Sequence, residues 1–192
     1  MLEQRIQQQF FEGADLLYQA AETLSRPIEA AVQSLMTSIT AGGKVLACGA
    51  GLGASVATHF CTLLVGRLER ERPGLAALAL REDAGLAAAA GAPDALARQV
   101  RALAHPGDLL FVVDNPGSEA TRAAVEAAHE KEVSVIVLAG AAAPGWSGQL
   151  AETDVLVPVP HERALRVAEL QLLVVHCICD ALDLQLLGEL DT

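Results

Sequence analysis

Five short β-rich segments constrain this chain more than any other feature: Lys44–Cys48, Leu75–Leu80, Asp108–Val113, Ser134–Leu138 and Asp154–Val159. Between the first four lie alanine-rich, helix-compatible stretches, Ala54–Arg67, Asp94–Leu103 and Ser118–Lys131. A crossover long enough to hold a helix brings the next strand back in the same direction, so the strands must lie parallel. The pattern predicts an α/β fold, a three-layer sandwich around a five-stranded parallel sheet of the flavodoxin-like kind, with helices on both faces.

Two helices are expected before the first strand. Ile6, Phe10, Leu17, Ala21 and Leu24 recur at helical spacing, with Glu3, Gln7, Gln8 and Glu22 on other faces. Pro27 should end that helix and open a second over Ile28–Ile39, which exits at Gly42–Gly43. The last segment, Glu162–Leu187, reads as a helix that is apolar almost all round from Leu170 onward. Such a helix must be buried on several sides, more than a chain of 192 residues can manage alone. We therefore expect a subunit interface built from this helix and the N-terminal helices, in a closed homo-oligomer. The chain reads as one domain, with residues 1–41 a helical extension, 42–160 the α/β core and 161–192 the C-terminal helix.

Charge excludes some functions. With 13 Lys plus Arg against 24 Asp plus Glu, the formal net charge is −11, which repels phosphate backbones and anionic lipid. Direct nucleic-acid binding is disfavoured, and the run Arg67, Arg70, Arg72 reads as a solvated face or as structural pairing with Glu69 and Glu71. The first ten residues lack the basic start and apolar run of a signal peptide, and no apolar run is long enough to span a bilayer, so a cytoplasmic protein is expected. Cys48, Cys61, Cys177 and Cys179 sit among apolar residues and read as reduced core thiols. Cys177 and Cys179 should point to opposite sides of a helix, which opposes joint metal ligation.

The strand Lys44–Cys48 runs into Gly49-Ala-Gly-Leu-Gly-Ala-Ser55 and then a helix. Two readings fit that turn: backbone N–H groups holding an anion at a helix N-terminus, or a tight turn with no ligand. A dinucleotide site is disfavoured, because Glu82 and Asp83, the available ribose-binding acids, come too far along.

Several ordered motifs together resemble the sugar isomerase (SIS) domain family: Gly42-Gly-Lys-Val-Leu-Ala-Cys-Gly49, His59-Phe60, Gly66-Arg67, Glu71-Arg-Pro-Gly74 and Val100-Arg-Ala-Leu-Ala-His-Pro-Gly-Asp108. The likeness spans nearly the whole chain and points to the phosphoheptose isomerase branch. Within it, Val100–Leu110 and Cys177–Asp183 are most similar to the DnaA initiator-associating group, DiaA. The resemblance implies an SIS fold assembled as a homotetramer.

Carried over residue by residue, the resemblance implies a depleted site. Ala50 and Gly53 stand where the family's first loop has Asn and Ser, leaving Gly49, Gly51, Gly53 and Ser55 as candidate phosphosugar contacts. Ser55 is equally a helix-start residue. The second loop is Asp114-Asn-Pro-Gly-Ser118 in place of a hydroxyl-rich cradle. Asp114 brings negative charge and Pro116 removes a donor, while Asn115 and Ser118 remain candidates, Ser118 also as an N-cap. The family's catalytic Glu falls at Leu63, which cannot carry a proton. His176 matches the family's catalytic His, and His59 and His176 match zinc-ligand positions, but a Gln ligand is replaced by Ala168. No cofactor is expected, zinc being possible if isomerase activity is retained and Glu169 or water completes the site.

These losses lean away from catalysis. The resemblance to DiaA then implies a non-catalytic homotetrameric adaptor that gathers the DnaA replication initiator by multivalency, with Leu186 and Leu187 as partner anchors. The alternatives are a phosphoheptose isomerase acting on sedoheptulose 7-phosphate, with His176 and an acid such as Asp83, Asp114 or Glu169, or a phosphosugar-binding sensor without turnover.

Overall fold

A computed structural model, describing residues 1–115, 117–141, 143 and 145–189, places five parallel strands in the order β2-β1-β3-β4-β5. They are β1 (Val45–Gly49), β2 (Ala77–Ala79), β3 (Leu109–Asp114), β4 (Ser134–Gly140) and β5 (Val155–Val159). The three-layer α/β expectation holds. β2 is shorter than the expected Leu75–Leu80: it sits at an edge, and Leu75 N–H is diverted to the Leu64 carbonyl while Leu80 N–H still reaches the Ala47 carbonyl of β1.

Strand periodicity sorts the core into two layers. Val45, Ala47, Phe111, Val113, Ile136 and Leu138 face a layer made by α1 (Leu2–Thr40), α2 (Leu52–Val65) and α6 (Ala164–Leu187). Leu46, Cys48, Leu110, Val112, Val135 and Val137 face α4 (Asp94–Leu103) and α5 (Glu119–His129). A further helix, α3 (Ala84–Ala90), was not expected; Asp83 caps it by accepting from Leu86 N–H at 2.8 Å.

Pro27 does not divide the N-terminal region. α1 is one helix of 39 residues with Pro27 inside it. An interior proline costs about 3 kcal/mol. Leu16, Ala20 and Leu24 before it and Ala31, Val32 and Leu35 after it are all buried in one core. At roughly 1.5–3 kcal/mol for each large side chain, burying both stripes on one axis outweighs the break.

In the single chain α6 is half-buried. Val167, Leu170, Val174, Val175, Ile178, Cys179 and Leu182 pack inward, while Leu165, Leu172, Leu173, Leu184 and Leu187 are exposed in the single chain. Leu186 is partly buried against the core. Its length and apolar composition would suit a membrane span, but here it packs beside the sheet. Cys177 is exposed, unlike Cys48, Cys61 and Cys179, and all four cysteines are free.

The arginine run is not a solvated face throughout. Arg67 pairs with Glu71 on the surface, but the Arg72 side chain is only 1% exposed. It forms an ion pair with Asp183 of α6 and donates to the Leu63 and Leu64 carbonyls at the end of α2.

Two aspartates fasten the amino ends of the strands. Asp108 accepts from the backbone N–H of Lys44 at 2.9 Å and of His105 at 2.7 Å, and pairs with the Lys44 ammonium. Asp154 accepts from Val135 N–H at 2.9 Å and Ala151 N–H at 2.8 Å, and meets His129 at 2.7 Å.

Candidate active site

Strand order reverses between β1 and β3, and in an open parallel sheet the ligand crevice lies beyond the carboxyl ends of the strands at such a point. Two loops flank it, one after β1 and one after β3.

The first loop is held close to β3 by its glycines. A Cβ on Gly53 would stand 2.3 Å from the Val113 carbonyl oxygen, and one on Gly49 2.7 Å from the same atom. Gly51, at φ +55°, is the N-cap of α2 and supplies no side-chain cap. Ser55 therefore is not the helix-start residue. It lies one turn inside α2 and lines an open cleft of about 570 Å³ together with Gly49, Gly51, Ala54, Thr58, Arg81 and Glu82. Arg81, which drew no attention in the sequence, places a cation beside a helix N-terminus whose dipole already favours an anion. Gly53 is buried under this turn and offers close packing in place of a contact.

The second loop is turned inward. Asp114 is fully buried, and its carboxylate accepts from Gly117 N–H and Ser118 N–H, both at 3.2 Å, and from Trp146 Nε1–H at 3.1 Å. These three hydrogen-bonding groups are donors, but burial outweighs them and Arg122 and holds the carboxyl pKa above its ordinary value. Asn115 is spent on the Ala164 carbonyl at 2.8 Å, tying the loop to the start of α6. Ser118 caps α5 through Ala120 N–H at 3.2 Å. Pro116 lies outside the described residues. Trp146, which no sequence pattern singled out, is buried with the Arg122 guanidinium 4.9 Å above its ring.

Beyond the first loop, α2 and α6 bring two imidazoles together. His59 Nε2 and His176 Nε2 are 2.9 Å apart, with the rings edge to face. At that separation one nitrogen donates and the other accepts, so the pair shares a single proton. His59 stands four residues after Ser55 on the same face of α2, about 6 Å along the axis. Leu63, one further turn on, packs against the core. Neither it nor Ala168 offers a donor atom. Among the described residues no group of three or more His, Cys, Asp or Glu side chains could hold a metal. The family's zinc therefore does not fit the side chains of this chain, which provide two imidazoles of a four-ligand set.

Burial and the neighbouring His176 both hold the His59 imidazole below its ordinary value of 6.5. The unfolded chain then binds more protons than the folded one in acid. The resulting loss of stability is absent above the ordinary value and grows as pH falls through it. Between about pH 7 and pH 5, wild type is expected to lose more thermal stability than His59→Gln. Parallel melting curves for the two proteins would refute this.

The five-stranded parallel sheet, its crevice and the glycine turn define an α/β protein of the SIS class. Residues 9–140 match the SIS domain, and the chain belongs to that family. It is 53% identical to a phosphoheptose isomerase of Methylibium petroleiphilum, across 100% of this chain and 98% of the relative. A phosphoheptose isomerase of Thiobacillus denitrificans is 41% identical over 97% of this chain and 98% of its own. Among solved structures, the phosphoheptose isomerase GmhA from Neisseria gonorrhoeae superposes with a TM-score of 0.87 at 34% identity, covering 95% of this chain and 99% of that one.

These relatives overturn the expectation of a non-catalytic DiaA-like adaptor for replication initiation. That expectation rested on the side chains lost at Ala50, Gly53, Leu63 and Ala168 and on Asp114 and Pro116 in the second loop, whereas the similarity runs the full length of named isomerases. The lean away from an enzyme falls with it.

Proposed function

We propose that the chain is an aldose–ketose isomerase of the phosphoheptose type, acting on sedoheptulose 7-phosphate, with His59 and His176 as its proton-handling pair. The observation that carries this reading is the 2.9 Å approach of the two Nε2 atoms beside the anion-favouring start of α2. Interconverting a ketose and an aldose moves a proton between adjacent carbons, through a group that takes it and another that gives it back. One Nε2–H is given to the other ring's Nε2 lone pair, so a substrate proton is taken at a remaining ring nitrogen or once that bond opens. His59 stands in for the carboxylate that Leu63 lacks, and the depressed basicity of its ring keeps it in the accepting form at neutral pH. The phosphoryl group sits against the α2 N-terminus, with the Ser55 hydroxyl and Arg81 on the cleft wall. Isomerases related over nearly the whole chain support the reading.

A second reading, a sensor that binds phosphosugar without turnover, is favoured by Leu63 and Ala168, which remove side chains that the family uses for chemistry. One assay separates the two. Incubation with sedoheptulose 7-phosphate is expected to yield the aldose, and His176→Ala to lower kcat by about 100-fold or more. Saturable binding without product would decide for the sensor. Neither binding nor product would overturn both.

A further inference from the structure

Phe60 and Leu64 on α2 and Val175, Ile178, Cys179 and Leu182 on α6 lie in one apolar core. Apolar packing is non-directional, so by itself it leaves two helices free to slide and turn a little against each other. His59 and His176 nevertheless meet at 2.9 Å, which demands a fixed register between α2 and α6. A directional tie stands a short way along the same two helices. Arg72 donates to the Leu63 carbonyl at 2.9 Å and the Leu64 carbonyl at 2.8 Å on α2, and through Nε to the Asp183 carboxylate on α6. Leu63 follows His59 by four positions and Asp183 follows His176 by seven, so the tie lies one turn beyond the first imidazole and two turns beyond the second, on the same helix faces. The segment carrying Arg72 is itself pinned at both ends. Leu75 N–H donates to the Leu64 carbonyl at 2.9 Å, and Arg70 donates at 2.7 Å to the carbonyl of Gly188, the C-cap of α6. The guanidinium is arranged as a bridge and not as half of a strong ion pair. Arginine and a carboxylate bind best through two parallel bonds. Here Nη1 and Nη2 turn to α2, and the second oxygen of Asp183, also buried, has no partner among the described residues.

We propose that Arg72 is a positioning residue: by joining the end of α2 to Asp183 it sets the register of α2 against α6, and so holds the His59 and His176 imidazoles within reach of the same substrate carbons. The effect on turnover rests on the isomerase reading; the hold on the imidazole pair is tested without it. A turn of α6 that carries Asp183 away from Arg72 carries His176 away from His59, since both side chains leave the helix in nearly the same direction. Proton transfer is steep in distance, and a shift of about 1 Å at a reacting group costs up to about 100-fold in rate.

The double variant Arg72→Met with Asp183→Leu replaces the bridge by apolar contact and is expected to fold, as buried ion pairs replaced together commonly do. In crystals grown with a chelator, its two Nε2 atoms are expected beyond about 3.5 Å, outside hydrogen-bond reach, beside a wild type that keeps them together. Its kcat on sedoheptulose 7-phosphate is expected to fall at least about 10-fold. KM should stay within about 3-fold, because the cleft after β1 is lined by neither Arg72 nor Asp183. Asp154→Asn is the control for lost stability: it weakens a buried fastener at the opposite sheet margin, and is expected to lower the urea midpoint while kcat stays within about 2-fold. A double variant that keeps the imidazoles at their wild-type separation, or that turns over at the wild-type rate, overturns the proposal. So does an equal fall in kcat for Asp154→Asn. If wild type shows no turnover, the isomerase reading falls and the separation in the double variant decides this proposal alone. Should the double variant not fold, Arg72→Lys takes its place under the same two readouts, since one ammonium keeps a charge for Asp183 but lacks the planar fork that reaches both helices; a kcat lower by at least about 3-fold with a longer Nε2 separation is then expected.

Discussion

Arg72→Ala is expected to lower the free energy of unfolding by about 3–5 kcal/mol, read as a fall in the urea midpoint with unchanged slope. The side chains of Arg72 and Asp183 are 1% and 3% exposed, so removing the guanidinium leaves a carboxylate buried without its counter-ion. Asp183 has little to fall back on, since its second oxygen already lacks a partner. The same guanidinium also donates to the Leu63 carbonyl, at the end of α2, and to the Leu64 carbonyl, which Leu75 N–H reaches as well. The pair, not the arginine alone, is the unit. A double variant, Arg72→Met with Asp183→Leu, is expected to regain much of the loss, because apolar replacement removes both desolvation penalties. If Arg72→Ala unfolds within about 1 kcal/mol of wild type, the pair is not the fastener between α2 and α6 that its burial indicates.

The second large effect is expected at Gly53. Its added methyl would stand 2.3 Å from the Val113 carbonyl oxygen, a backbone atom that cannot swing aside. Gly53→Ala must therefore push α2 away from β3, at a cost of about 3 kcal/mol. The displacement also moves Ser55 and His59 with the helix, so turnover should fall further than stability alone explains. Gly148→Ala is the control, for nothing lies within 4 Å of its added methyl. It should stay within about 0.5 kcal/mol of wild type. Equal losses at both positions would show that the approach to β3 does not set the cost.

What could be read from the residues depended on range. Central strands are legible because burial on both faces leaves unbroken apolar runs such as Leu109–Val113, all fully buried. β2 blurred because an edge strand has one neighbour and its leading end, at Leu75, serves another contact. α3 escaped notice because its sequence is nearly all alanine, with no apolar period, and its cap Asp83 was weighed as a candidate acid. Pro27 is a local stop signal that distant packing overrode. The decisive pairs are longer in range. His59 and His176 are separated by 117 positions and Arg72 and Asp183 by 111, so neither partnership leaves a spacing to find. At Asp114 the charge was legible but its direction was not. A carboxylate aimed outward repels a phosphate, and one aimed inward ties its own loop, and only the position of Trp146 tells them apart.

The aspartates at the amino ends of the strands have a consequence for how such a protein can change. Asp108 ties β3 to the residue preceding β1, and Asp154 ties β5 to β4, all at the sheet margin opposite the crevice. Strand alignment is thus anchored where no ligand comes. Side chains at the other margin are released from that duty, so exposed residues there such as Ser55 and Arg81 can be exchanged without unsettling the alignment of the strands.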